Sequence, residues 1–215
     1  RCLGLAFVLP GWYFLFVKKT VTPRLGKRLA LLLAAGGGQG MVGWWMVRSG
    51  LKEPTEQSGL KEPRVAPTRL AAHLASATAI YCTLVYTSLQ LAFPVPPAAF
   101  YAKRADTVAA LRKVRMVAHP LAGIIAVTAL SGAFVAGLDA GRAYNTFPKM
   151  NGEWIPEEYP GLQGAFSDTV AAQLHHRVLA GTTFLSTWAA WAAARNPSGS
   201  LPRTAALALA ARPVA

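Results

Sequence analysis

A chain of 215 residues that is 53% hydrophobic, only 14% charged and carries a formal net charge of +13 is too apolar for an ordinary soluble domain of its length. The positive excess would suit a nucleic-acid partner, but the Lys and Arg residues lie beside long apolar runs, where they set topology near anionic lipid. The two cysteines, Cys2 and Cys82, sit inside apolar runs without CxxC spacing and read as buried hydrophobes, not as a disulfide framework or a zinc site.

Five apolar runs follow in order: Cys2–Val17, Leu29–Val47, Leu70–Phe93, Met116–Leu138 and Val178–Ala194. The complete ones approach the ~20 residues a helix needs to cross a hydrocarbon core of ~30 Å. Pro10 kinks the first. Gly36, Gly37, Gly38, Gly40 and Gly43 fill the second, where small residues let helices or a flat cofactor approach closely. Pro94, Pro96 and Pro97 stop the third, and the fourth is expected to begin at His119-Pro120, since Pro suits a first helical turn. Arg1 opens directly into an apolar run and Leu201–Ala215 starts another, so the chain is expected to be a central piece of a longer protein.

The links between runs alternate in charge. Lys18, Lys19, Arg24, Lys27 and Arg28 crowd the first, and Lys103, Arg104, Arg112, Lys113 and Arg115 the third. The second is mixed and repeats Ser-Gly-Leu-Lys-Glu-Pro at 49–54 and 58–63, which reads as a flexible external loop. The fourth is acidic (Asp139, Glu153, Glu157, Glu158, Asp168) and rich in aromatics, as in a segment lying at the interface. Arg195, Arg203 and Arg212 follow the last run as a fifth hydrophilic stretch. Basic links stay on the side of synthesis, so the first, third and fifth are expected to face the cytoplasm or matrix. The expected architecture is an all-α, polytopic membrane helical bundle.

Intramembrane ionisable groups are costly and usually functional. The topology puts His73 and His176 at one depth near the external face and His119 near the internal face. Neutral imidazole in a helical bundle is a natural axial ligand for haem iron, and small residues flank both: Ala72, Ala75, Ser76 and Ala77 by His73; Ala180 and Gly181 by His176. Each histidine is either such a ligand or a hydrogen-bonding residue between helices. Consecutive helical residues point about 100° apart, so only one of His175 and His176 can face a given ring. Asp139 reads as a cap of the next turn in preference to a group positioning water, and Trp44 and Trp45 as interface markers in preference to flanks of a porphyrin edge.

Three segments carry a resemblance. They are Ser131-Gly132-Ala133-Phe134-Val135-Ala136-Gly137-Leu138-Asp139-Ala140-Gly141 continuing through Tyr144-Asn145-Thr146-Phe147-Pro148-Lys149-Met150, then Gln39-Gly40 with Gly43-Trp44, and Arg69-Leu70-Ala71-Ala72-His73-Leu74. Over nearly the whole chain up to about Ala194, the sequence resembles haem A synthase of the mitochondrial and alphaproteobacterial branch. The resemblance implies an eight-helix bundle of two similar halves, each holding one haem between paired histidines. Residues 1–93 would then belong to the first half, 94–115 to an internal basic link and 116–215 to the second half. His73 would be the axial ligand in the substrate-haem half and His176 that in the haem b half. An acidic catalytic candidate would lie upstream of Arg1. By its own chemistry Arg177 is either a contact to a haem propionate, which a guanidinium binds bidentately, or an ordinary charge at a helix mouth. Where this chain has His175 the family commonly has an acidic residue, and it has a glycine in place of Ala180.

The implied reaction is oxidation of the methyl substituent of haem O to the formyl group of haem A, for cytochrome c oxidase. It would proceed by two hydroxylations, with haem b as cofactor and a separate electron donor such as a ferredoxin system. Implied partners are haem O, membrane lipid and the oxidase assembly machinery, with a homo-oligomer an open option and no nucleic acid. The implied location is the mitochondrial inner membrane, with a bacterial plasma membrane as the alternative. Two other functions share the features: a di-haem electron-transfer bundle, and a non-enzymatic transporter or assembly factor.

Overall fold

A computed structural model describes residues 12–18, 21–51, 64–93 and 105–194. The described residues are helical, without strands. They form two compact units, residues 1–41 and 42–215. In the first, a short helical turn spans Tyr13–Val17, where the Tyr13 and Phe14 rings meet edge to face at 5.5 Å. Helix α1 covers Pro23–Gly50 and continues into the second unit. Thr22 Oγ1 accepts from the Leu25 amide at 3.3 Å, and Pro23 supplies the preset φ of a first turn.

The second unit adds α2 (Pro67–Ala92), α3 (Ala105–Gly137) and α4 (Thr169–Ala194). Helices α1, α2 and the Arg112–Gly137 part of α3 are long and apolar enough to cross a membrane. Helix α4 has the length, but Gln173, His175, His176 and Arg177 early on and Thr182, Thr183, Ser186 and Thr187 later dilute its apolar character. The fifth run is a helix, as expected.

The packing is inverted relative to a soluble domain. The buried apolar residues are mostly alanines (Ala71, Ala133, Ala140, Ala171 and Ala172), whereas Leu33, Met41, Phe184 and Trp188 are 62–77% exposed. Lipid tails are as apolar as leucine, so large side chains gain little by turning inward, and helices associate through small residues that allow close approach. Cys82 follows this inversion. Expected to be a buried hydrophobe, it is exposed on α2, where lipid would cover it. Cys2 lies outside the described residues, as do Pro10, residues 52–63 with most of the repeated segment, Pro94–Pro97 and Leu201–Ala215.

Helix α3 begins at Ala105, well before the expected start, so Arg112, Lys113 and Arg115 are helical and Pro120 is internal. Pro120 cannot donate to the carbonyl one turn back. The His119 ring nitrogen Nδ1 meets the Arg115 carbonyl at 2.7 Å beside that gap. Helices α3 and α4 pack on each other, as do α2 and α3. The two helices α2 and α3 approach closely at Gly137, where an added Cβ would come 2.8 Å from Pro67 Cα.

Between α3 and α4 the chain folds back on itself. Asn151 (φ 52°) and Gly152 (φ 95°) make a tight turn with both central residues left-handed, closed by Met150 and Glu153 amide–carbonyl bonds of 2.8 and 3.2 Å. Met150 beneath it is buried. Asp168 then caps α4, its Oδ1 accepting from the Ala171 amide at 2.8 Å.

Candidate functional site

His73 stands half-buried on α2 with its ring against α1. A Cβ built on Gly43 would lie 3.1 Å from His73 Cε1, so a larger residue here would push the ring by a few tenths of an ångström. The α1–α2 connection is held nearby: Ser49 Oγ accepts from the Ala66 amide at 2.9 Å, and Arg69 donates to the Trp45 carbonyl at 2.8 Å. The Arg69 guanidinium also lies 4.6 Å from the Trp45 ring centre, and Arg48 lies 5.3 Å from that of Trp44.

His176 repeats this arrangement on α4 against α3. A Cβ on Gly132 would lie 3.2 Å from His176 Cε1. A hydroxyl also meets this ring: Ser131 Oγ is 2.8 Å from His176 Nδ1. Ser131 donates its single proton to the Thr128 carbonyl at 2.8 Å. It must therefore accept from the histidine, so Nδ1 carries the imidazole proton and Nε2 carries the lone pair.

Neighbouring His175 points elsewhere. Its Nε2 is 2.8 Å from the Tyr159 hydroxyl, and the two rings stand edge to face at 5.6 Å. It joins the wall of an apolar pocket of about 710 Å³, lined by Phe134, Trp154, Phe166 and Val178 among others. Adjacent histidines are thus engaged at opposite nitrogens.

The two seats are level. Pro67 touches Gly137 at the α2–α3 crossing. Six residues along α2 from Pro67 reach His73, about 9 Å, and five residues back along α3 from Gly137 reach Gly132, about 7.5 Å. His119 is exposed and a further thirteen residues back, about 20 Å deeper along α3.

Arg177 lies beside the second seat. It donates to the carbonyls of Tyr144 and Thr146, both at 2.8 Å. The Tyr144 carbonyl also accepts from the buried Gln173 Nε2 at 2.9 Å. Arg177 therefore clamps the α3–α4 link. In that link the Tyr144 hydroxyl donates to Glu158 at 3.1 Å, and its pKa is raised above 10.0, by desolvation first and then by Glu158. Asp139 makes no side-chain cap. Expected to cap the next turn, it instead pairs with Arg64 at 2.8 Å, its backbone having turned left-handed at φ 50°.

The family model of the cytochrome oxidase assembly protein matches residues 1–214. The chain belongs to this family. Among similar proteins, haem A synthase of Arabidopsis thaliana is 50% identical over 195 residues, covering 89% of this chain and 41% of that protein. Haem A synthase of Maricaulis maris is 38% identical over 211 residues, covering 94% and 54%. A haem A synthase–mitochondrial ferredoxin fusion protein of Schizosaccharomyces pombe is 35% identical over 227 residues, covering 94% and 36%. The chain thus spans about half or less of the length of these relatives. No solved structure matches it. Membership in this family and the three spanning-length apolar helices make the chain part of a multi-pass membrane protein.

Sequence reasoning singled out both histidines and read Gly43 as one of several small residues allowing close approach, but it paired neither Gly43 nor Gly132 with a histidine and gave Ser131 and Tyr159 no part in the site. The glycines and Ser131 lie within the segments that carried the resemblance, yet nothing local says which residue across the bundle each will meet.

Proposed function

We propose that this chain supplies one axial-ligand helix to each half of a haem A synthase: His73 in the half that takes haem O and His176 in the half that holds haem b. The observation that carries the proposal is the repeated seat, a histidine against a glycine of the preceding helix, occurring twice at one level. Haem iron asks the protein for one or two axial ligands because the porphyrin supplies the other four, and single imidazoles fit that need. No cluster of three His, Cys, Asp or Glu that could hold a bare ion occurs among the described residues. His176 is favoured over His175 because its Nε2 carries the lone pair, whereas Nε2 of His175 is engaged by Tyr159.

Haem b, when bound, would supply the redox chemistry. The chain's own part is to bind and orient. The glycine seats fix the plane of each imidazole, and the apolar helix faces exclude water from a farnesylated substrate. Arg177 holds the α3–α4 link over the mouth of the second half, with its remaining N–H groups available to a propionate. Conversion of a methyl to a formyl group by two hydroxylations takes dioxygen as the oxidant. Each hydroxylation draws two electrons from an external donor to reduce the second oxygen atom to water, and the resulting diol loses water. A ferredoxin system is proposed as that donor, in keeping with the ferredoxin fused to the S. pombe relative. The second ligand of each haem is proposed to come from the parts of the longer relatives that this chain does not span. Service to cytochrome c oxidase assembly in the mitochondrial inner membrane completes the proposal, with a bacterial plasma membrane as the alternative setting.

The test is His73→Ala and His176→Ala, made separately in the full-length protein, with extracted haems identified by mass. Each variant should abolish haem A formation. Continued haem A formation in both would overturn the proposal, and haem O bound but unchanged in the wild type would mark an electron-transfer protein instead.

A further inference from the structure

The residues that flank the two seat glycines are not the same. The residue preceding the seat glycine is Val42 beside Gly43 and Ser131 beside Gly132. Only the second therefore places a hydroxyl at this register, and there it meets His176 Nδ1 at 2.8 Å. Its direction is set by its surroundings. Thr128 Oγ1 donates to the Ile124 carbonyl at 2.9 Å and lies 2.7 Å from Thr183 Oγ1, so α3 and α4 are tied one turn below the seat. Ser131 is in turn anchored on the Thr128 carbonyl. A serine whose own proton is committed to a carbonyl presents only lone pairs to an imidazole.

We infer that Ser131 is a positioning residue for the His176 centre: it locks the Nδ1–H tautomer, holds the ring plane and strengthens the donor character of Nε2. This inference rests on the reading of His176 as an axial ligand. An acceptor on the distal N–H makes an imidazole more electron-rich, which favours the oxidised iron. The haem of the second half should therefore sit at a lower potential than the same centre without the serine.

The experiment uses full-length protein purified in detergent with its haems, read by redox titration and low-temperature EPR. Ser131→Ala should retain the haem, shift the midpoint potential of one centre upward and move its g-values, leaving the other centre unmoved. Ser131→Thr should return both readouts toward the wild type. An unchanged potential and spectrum in Ser131→Ala would overturn the inference while leaving the ligand assignment standing. Retention of both haems by His176→Ala would instead remove the assignment itself. Should Ser131→Ala fail to fold, the near-isosteric pair Ser131→Thr and Ser131→Val decides on the same readouts: a shift confined to Val supports the role, and identical behaviour overturns it.

Discussion

His73 Cε1 rests so close to Gly43 that a Cβ there would lie 3.1 Å away, tighter than ordinary van der Waals contact. The Gly132–His176 pair repeats this at 3.2 Å. Glycine in a helix interior weakens it by roughly 0.5–1 kcal/mol relative to alanine, so its presence at both seats trades helix stability for ring access.

Gly43→Ala and Gly132→Ala should therefore leave the fold as stable as before, while each pushes its imidazole by a few tenths of an ångström. An overpacking cost of about 1 kcal/mol corresponds to about a fivefold loss of haem affinity, confined to one half. Haem-to-protein ratios with resolved spectra check this. Full haem in both variants would show that the glycines serve helix packing alone.

His176→Ala should remove one haem, and His175→Ala should retain both. The adjacent rings are engaged at different nitrogens, Nδ1 by Ser131 and Nε2 by Tyr159. The reverse pattern of loss, measured by haem content, would transfer the ligand role to His175.

Arg177→Ala should loosen the α3–α4 link by about 1–3 kcal/mol, since two charge-assisted bonds to the Tyr144 and Thr146 carbonyls disappear. Arg177→Lys should recover only part, because a single ammonium cannot reproduce the fork. Hydrogen exchange over residues 140–166 reports the change directly. Protection equal to wild type in Arg177→Ala would mean that the clamp contributes nothing.

Gly137→Val should disrupt the α2–α3 crossing, because its first added carbon would already come 2.8 Å from the Pro67 backbone. A loss of about 1–3 kcal/mol is expected. Asp139→Ala nearby should cost less than ~1 kcal/mol, since its pair with Arg64 is 42% exposed on each side. Thermal unfolding in detergent compares the two, and a larger loss from Asp139→Ala would reverse the ranking.

Much of this protein is determined locally and can be read from the chain. Apolar runs of spanning length, interrupted by charged links, dictate helices and their order, because a continuous apolar segment of ~20 residues satisfies its backbone hydrogen bonds within itself as a helix. Proline at 23 and 67 and the Asn151-Gly152 pair act within a few residues of themselves and set helix starts and a turn. Local signals mislead where distant atoms compete. His119-Pro120 reads as a helix start, but the helix runs through it from Ala105. Asp139 reads as a cap, but Arg64, seventy-five residues earlier, takes its carboxylate. Only the tertiary structure decided which glycine faces which histidine, which nitrogen of His175 and of His176 is engaged, and that Ser131 is an acceptor. Those contacts span sixteen to forty-five residues of sequence and depend on helix rotation and crossing height, quantities set by small-residue packing across the bundle and not by any single segment.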